Sequence, residues 1–137
     1  MRMLHWGHAT IPAFSGRSIM ADKEEIRQFN LYRDGMNEII LSEAPMEVKR
    51  FFSLDSQAYR DGALSAKTKE LLGLVASMVL RCDDCITYHL QQCVNAGFSD
   101  DEIWETMSIA LIIGGSVVMP LLRRATETLH GLREQKR

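Results

Sequence analysis

Three residues that can carry out redox chemistry lie together in the segment R-C-D-D-C-I-T-Y-H, residues 81–89. Cys82 and Cys85 are spaced as C-x2-C, and His89 follows Cys85 by four residues. If this segment is helical, Cys85 and His89 lie on the same face, one turn apart. A histidine at that distance can accept the proton of a thiol and so favour the nucleophilic thiolate. The spacing therefore predicts a reactive thiol with its own base.

The second cysteine predicts that the thiols can form a disulfide. Two cysteines at positions i and i+3 of a helix place their Cα atoms about 5–6 Å apart, which suits a disulfide bond. Cys82 is predicted at the start of the helix, where free N–H groups and the helix dipole stabilise a thiolate. Cys93 lies two turns beyond Cys85, ~12 Å along the axis, so we expect it to stay outside the pair and to pack in the core.

A four-ligand zinc site is the competing interpretation of this segment. Cys82, Cys85, His89 and Cys93 read C-x2-C-x3-H-x3-C, and all four side chains are of types that bind zinc. On one helix, however, Cys82 and Cys93 would lie ~16 Å apart, too far to reach a single ion. Apolar residues at i, i+4 and i+8 within the segment indicate a helix. We therefore expect no metal and no other cofactor.

Glu70 is the predicted third member of the site. The chain turns near Arg81, between two segments whose apolar residues recur at helical spacing. If the two helices form an antiparallel hairpin, Glu70 lies roughly level with residue 91, within a turn of His89. A carboxylate at that place would orient the imidazole and raise its basicity, as the third group of a catalytic triad does.

The segments that must position these residues are all predicted to be helices. From residue 22 onward, apolar residues recur at helical spacing in about six segments. Pro45 is predicted to open the second helix and Ser65 to cap the third. Ser99 and Glu102 have the spacing of a capping box at the start of the fifth. No run shows the alternation of a strand. The prediction is an all-α, single-domain bundle of about six helices.

The composition is typical of one soluble globular domain. The 137 residues are 46% hydrophobic and 25% charged, with a net charge of −2. Such a balance argues against disorder and against the basic surplus of a nucleic-acid-binding surface. We divide the chain into an N-terminal extension, residues 1–20, which shows no helical period and which we expect to be flexible, and a helical domain, residues 21–137.

Cysteine usage and the apolar runs predict a cytoplasmic protein. Cysteines clustered within twelve residues fit a reducing compartment better than a secreted disulfide scaffold, and the N-terminus lacks the apolar core of a signal peptide. The longest uncharged run, residues 106–122, is shorter than the ~20 residues that a bilayer requires. It also contains Gly114, Gly115 and Pro120. We interpret this run as buried core and expect no membrane partner.

The four predicted site residues together resemble a known signature. Glu70, Cys82, Cys85 and His89 match the pattern E-x11-C-x2-C-x3-H of the alkylhydroperoxidase D (AhpD)-like proteins. These proteins belong to the carboxymuconolactone decarboxylase superfamily. The similarity covers about residues 45–130 and includes the G-F-S-x-x-E-I segment that follows. It implies an all-α fold that assembles into trimers or hexamers.

The resemblance also implies a reaction and a role for each residue. The reaction is the reduction of a hydroperoxide through the C-x2-C pair, with a thiol or disulfide reductant protein as partner. Cys85 would be the attacking thiolate and Cys82 the resolving cysteine, while His89 and Glu70 would form a proton relay. Asp84 stands where the best-known members carry a histidine, so this chain has one proton carrier fewer and more negative charge beside the thiols.

Two other functions stay open. A carboxymuconolactone decarboxylase-type enzyme would work without the cysteine pair, so its activity should survive the loss of both cysteines. A non-catalytic helical oligomer could use the dithiol as a redox sensor, and it would not consume a hydroperoxide in the presence of a dithiol reductant.

Overall fold

The computed structural model describes residues 23–136, which form helices joined by short connections. The described part of the chain contains no strand, so the all-α prediction is confirmed. The extension predicted for residues 1–20 lies outside the described residues. In chain order the elements are α1 (Lys23–Glu43), α2 (Met46–Ala58), α3 (Ala66–Leu80), α4 (Asp83–Asn95), α5 (Asp100–Gly114), a 3₁₀ turn (Gly115–Val118) and α6 (Met119–Gln135).

The helix type changes at Gly114 and Gly115. Gly115 has a φ of +73°, which favours glycine, and the chain passes through the 3₁₀ turn directly into α6. Asp100–Gln135 is therefore one helical stretch, and the described residues form five separate stretches. The predicted number of about six corresponds to counting α5 and α6 separately.

Capping side chains set the starts of the helices, largely as predicted. Ser65 caps α3 by accepting a hydrogen bond from a backbone N–H of its first turn, at 3.1 Å. Ser99 and Glu102 form the capping box of α5. Pro45 is the N-cap of α2 and lies just before the first turn. Cys82 is the N-cap of α4, which places it next to the helix and not within it.

The core lies between α3, α4, α5 and α6. α3 and α4 form a tight hairpin, α3 also packs against α5, and α4 packs against α6. All three apolar residues predicted to face inward from α4 are buried. The hairpin is thus held on two sides, which fixes the register of α3 against α4. The largest fully buried side chains are Leu74, Met78, Leu90, Val94, Ile103, Met107, Val118 and Leu129.

α1 and α2 contribute little to this core. Ile26 is the buried residue of α1, and none of the described residues of α2 is buried. Ile39 and Phe51, which belong to the helical period of apolar residues in these two helices, are 46% and 68% exposed. A helical period shows that one face is apolar without showing what covers it.

The uncharged run at residues 106–122 is also not the buried core that we expected. Met107 and Ala110 are buried, but Ile112 and Ile113, on the other side of the helix, are 82% and 65% exposed. By length and composition, Asp100–Gln135 is apolar enough to cross a membrane. Core helices of soluble proteins pass the same test, and one side of this stretch packs against α3.

Candidate active site

The α3–α4 hairpin brings Glu70 and His89 into contact. Each lies in the second turn of its helix, and Glu70 Oε2 is 2.8 Å from His89 Nδ1. Their side chains are only 14% and 11% exposed. Because the carboxylate accepts this hydrogen bond, Nδ1 carries the proton of the neutral imidazole, and Nε2 is left as the acceptor. The structure places the two residues as the predicted hairpin requires, while their catalytic roles stay predictions.

Gly73 makes the space in which the imidazole lies. It follows Glu70 by three residues, so both lie on the same face of α3, and it is buried. A Cβ atom at this position would overlap His89 Cε1 and would lie 2.7 Å from both ring nitrogens. Sequence reasoning missed this residue. The available signal was a glycine within a helix, which costs about 1 kcal/mol relative to alanine and so needs a packing reason.

Two tyrosines enclose the imidazole on its other sides. Tyr59, the C-cap of α2, stacks on His89 with 5.6 Å between ring centroids, and its hydroxyl lies 3.5 Å from Nε2. Tyr88 meets the imidazole edge-on, with 5.2 Å between centroids. Burial, with a further contribution from the Glu70 carboxylate, raises the pKa of both phenols. Both hydroxyls are therefore hydrogen-bond donors at neutral pH.

The sulfurs of Cys82 and Cys85 are joined at the start of α4. Their Cα atoms are 5.3 Å apart, and the pairing is the one predicted from the spacing. The Cys82 sulfur accepts a hydrogen bond from the backbone N–H of Cys85, at 3.3 Å. Cys85 is the more exposed of the two. Cys82, at the helix start where an exposed thiol was expected, is the less exposed residue because its side chain caps the first turn.

Cys93 lies apart from the pair. It is fully buried, and burial, together with the nearby Glu70 carboxylate, raises the pKa of its thiol to about 12. The segment from Cys82 to Cys93 is helical after its capping residue, which is the geometry that separates the four potential zinc ligands. Among the described residues, no group of three His, Cys, Asp or Glu could hold a metal ion.

A cavity of about 470 Å³ borders Cys85 and His89. α4 supplies one side of it, and α1 and α2 supply the other. The face of α1 that does not reach the core therefore forms a wall of this cavity. Tyr59 and Tyr88 also line it. The apolar residues that α1 contributes are Phe29, Met36 and Ile40, with Tyr32 beside them.

Three charged side chains reach the same cavity. Arg33 lies with its guanidinium 4.4 Å from the centre of the Tyr88 ring, and Asp55 and Asp84 bring two carboxylates. Asp84 thus stands beside the cysteine pair, as its sequence position predicts. The neighbouring Asp83 points elsewhere and pairs with Arg124 at 3.0 Å on the surface.

The family of the chain follows from its sequence and its structure together. The sequence model of the carboxymuconolactone decarboxylase family matches residues 45–128, and the chain belongs to this family. A crystal structure of a family member from Thermotoga maritima, with a suggested part in an antioxidative response, is 56% identical and has a TM-score of 0.77. The match covers 80% of this chain and 92% of that one. The similarity to the AhpD-like proteins of the superfamily is confirmed.

More distant relatives share the fold and part of the sequence. The apo structure of a family member from Legionella pneumophila is 29% identical, with a TM-score of 0.69 over 81% of this chain and 96% of its own. An uncharacterized protein of Cupriavidus necator is 28% identical over 71 residues, and a protein of the cox locus of Paracoccus denitrificans is 30% identical over 60 residues. The chain spans 63% and 54% of the lengths of these last two.

The packing of His89 against Gly73 gives a first prediction. Gly73→Ala should push the imidazole out of its place and break its hydrogen bond to Glu70, because the added methyl group overlaps the ring. We expect the NMR signal of the hydrogen-bonded Nδ1 proton of His89 to disappear.

Gly35→Ala is the matched control, since Gly35 is also a helical glycine and a Cβ atom added there would meet no neighbouring atom within 4 Å. It should stabilise the protein by about 1 kcal/mol, through helix propensity alone, and leave the His89 signal in place. A Gly73→Ala protein that keeps the wild-type His89 signal would show that Gly73 does not position the ring.

The burial of Cys93 gives a second prediction. With its pKa raised to about 12, only ~1 in 10,000 of these thiols is ionised at pH 8, and the thiolate is the form that alkylating reagents attack. In the reduced, folded protein, iodoacetamide should label Cys82 and Cys85 and spare Cys93 until the protein is unfolded.

Mass spectrometry of peptides checks this prediction in both redox states. The oxidised protein should give a Cys82–Cys85 link with Cys93 free. A dominant link from Cys93 to either of the others would mean that the segment is not the helix described above.

Proposed function

We propose that this protein is a thiol-dependent peroxidase, which reduces hydroperoxides through the Cys82–Cys85 pair. The observation that carries the proposal is the buried hydrogen bond between Glu70 and His89, which borders the same cavity as Cys85. A carboxylate–imidazole pair beside a thiol is an arrangement that activates a nucleophile. The suggested antioxidative part of the Thermotoga maritima relative agrees with this assignment.

The reaction runs in two steps on the reduced protein. His89 accepts the proton of the Cys85 thiol, and the thiolate attacks the outer oxygen of the peroxide. The O–O bond breaks, Cys85 becomes a sulfenic acid, and the alkoxide leaves and gains a proton to form the alcohol. The Cys82 thiol then attacks the sulfenic sulfur, and the disulfide forms with the release of water.

A reductant closes the cycle. A thiol or disulfide reductant protein supplies two electrons and two protons to the Cys82–Cys85 disulfide by thiol–disulfide exchange. Cys85 is the more exposed residue of the pair, so such a partner reaches it first. Because the cycle needs reduced thiols, we place the protein in the cytoplasm, where the reductants keep cysteines reduced.

The cavity supports an organic hydroperoxide as the substrate. Its volume of about 470 Å³ and its apolar α1 wall suit a molecule with an apolar body, since sites for small organic molecules are mostly apolar with few polar groups. Hydrogen peroxide would fill little of this space and would make no use of the apolar wall.

We also propose that the protein assembles with copies of itself, as trimers or hexamers. Ile112, Ile113 and Val117 form an exposed apolar surface on α5 and the 3₁₀ turn, and Phe51 and Leu54 do so on α2. Contiguous exposed apolar patches mark interaction surfaces, because a monomer rarely leaves them in water. The net charge of −2 leaves little repulsion between copies.

The third prediction tests the peroxidase activity. Wild type should consume cumene hydroperoxide in the presence of a dithiol reductant. Cys85→Ser should stop turnover, and Cys82→Ser should leave a sulfenic acid on Cys85 that a trapping reagent labels. His89→Ala should lower the rate by roughly 100-fold, the range for loss of a general base, and Glu70→Ala by less because it acts through His89.

Cys93→Ala and His130→Ala are the matched controls, since Cys93 is buried apart from the pair and His130 is exposed on α6. Both should turn over at wild-type rates. A protein that does not consume hydroperoxides but decarboxylates a lactone, even without Cys82 and Cys85, would be the decarboxylase-type enzyme. Loss of both activities, with a reversible disulfide, would favour the redox sensor.

The fourth prediction tests the assembly. Ile112→Glu places a charge at the centre of the exposed α5 surface, and it should convert the oligomer to a monomer in light scattering. Leu64→Glu is a control at another exposed apolar position, just before the start of α3, whereas the α5 surface lies near the end of α3. A wild-type protein that is already a stable monomer at micromolar concentration would contradict the proposal.

A further inference from the structure

The hydroxyl of Tyr59 is connected to the Glu70–His89 pair. Since Nδ1 of His89 donates to Glu70, Nε2 of the neutral ring is an acceptor, and the Tyr59 hydroxyl lies 3.5 Å from it. The hydroxyl is therefore the donor of this contact. The same tyrosine lines the cavity together with Cys85. A phenol thus stands beside the base, on the wall of the space where a substrate would lie.

Lys69 holds the backbone on both sides of this tyrosine. Its Nζ donates to the carbonyl oxygens of Ala58, at 2.7 Å, and Arg60, at 2.6 Å. These carbonyls lie at the end of α2, where helix carbonyls lack partners and a cation is favourable. Lys69 is next to Glu70 on α3. One turn of α3 therefore positions both the carboxylate that bonds Nδ1 of His89 and the phenol that contacts Nε2.

The peroxide reaction needs a proton donor at this place. An alkoxide is a strong base and leaves slowly unless it gains a proton as the O–O bond breaks. Arg33 also reaches the cavity, but a guanidinium does not give up its proton in a protein. Tyr59 is a weak acid in contact with His89, which holds the proton taken from the thiol.

We propose that the Tyr59 hydroxyl protonates the alkoxide that leaves when Cys85 attacks an organic hydroperoxide. Tyr59 gives its proton to the alkoxide oxygen and takes one from Nε2 of the protonated His89, which had received it from the Cys85 thiol. The sum is one thiol and one hydroperoxide converted to one sulfenic acid and one alcohol. This inference rests on the peroxidase function proposed above.

The test compares oxidants that differ in the basicity of the leaving group. Tert-butyl hydroperoxide releases an alkoxide, which needs a proton, whereas peracetic acid releases acetate, which does not. Each oxidant is mixed with reduced Cys82→Ser protein, and the sulfenic acid formed on Cys85 is trapped and measured over time by mass spectrometry. Adding Tyr59→Phe removes the hydroxyl and keeps the ring that stacks on His89.

Tyr59→Phe should lower the rate with tert-butyl hydroperoxide roughly 100-fold, the lower end of the range for a general acid, and leave the rates with peracetic acid and with iodoacetamide unchanged within about twofold. Lys69→Met should lower the rate with tert-butyl hydroperoxide by less than Tyr59→Phe does, since the hydroxyl is still present, and should leave the rate with peracetic acid within about twofold. Tyr88→Phe, which removes another hydroxyl from the cavity, should keep the wild-type ratio of the two oxidant rates.

Three results would overturn the inference, and they are distinguishable. Equal losses with both oxidants would show that Tyr59 supports the structure of the site and donates no proton. A Tyr59→Phe protein with wild-type rates would show that another donor acts, and the peroxidase function would stand. If the parent Cys82→Ser protein reacts with neither oxidant, the peroxidase function itself fails, and the role of Tyr59 fails with it.

Discussion

The buried hydrogen bond between Glu70 and His89 is the interaction on which the rest of the site depends. A carboxylate and an imidazole lose hydration when they are buried, and the loss is offset only when they bond each other. Their contact at 2.8 Å allows one register of α3 against α4. The tight turn between the helices serves that register, and Arg81 adopts a left-handed φ of 60° there, a conformation that most residues other than glycine avoid.

The same register makes the start of α4 part of the site. The turn is so short that Cys82, the residue after Arg81, is already the N-cap of α4. Its sulfur accepts a hydrogen bond from the backbone N–H of Cys85. The free N–H groups of a helix start stabilise negative charge. A serine or aspartate would cap this helix as well, but only a cysteine at the position can also form the bond to Cys85.

The sequence predicted what local spacing determines and missed what depends on packing between distant segments. Helix α4, its cysteine pair and the approach of Glu70 follow from positions within twenty residues of one another. Tyr59 is thirty residues from His89, and nothing in its surroundings in the sequence connects the two. The helical period of α1 and α2 predicted their helices, but such a period does not show whether an apolar face meets a core, a cavity or another chain.

The proposed function makes two opposite demands on the solvent exposure of the site. The sulfur must be accessible to a small hydroperoxide and then to a reductant protein, whereas a base and its hydrogen-bonded partner work best away from water. The structure separates the two along α4. Cys85 is exposed at the first turn, and His89, one turn later, is buried between Gly73 and Tyr59. One helical turn is therefore the distance over which solvent exposure gives way to a protected proton relay.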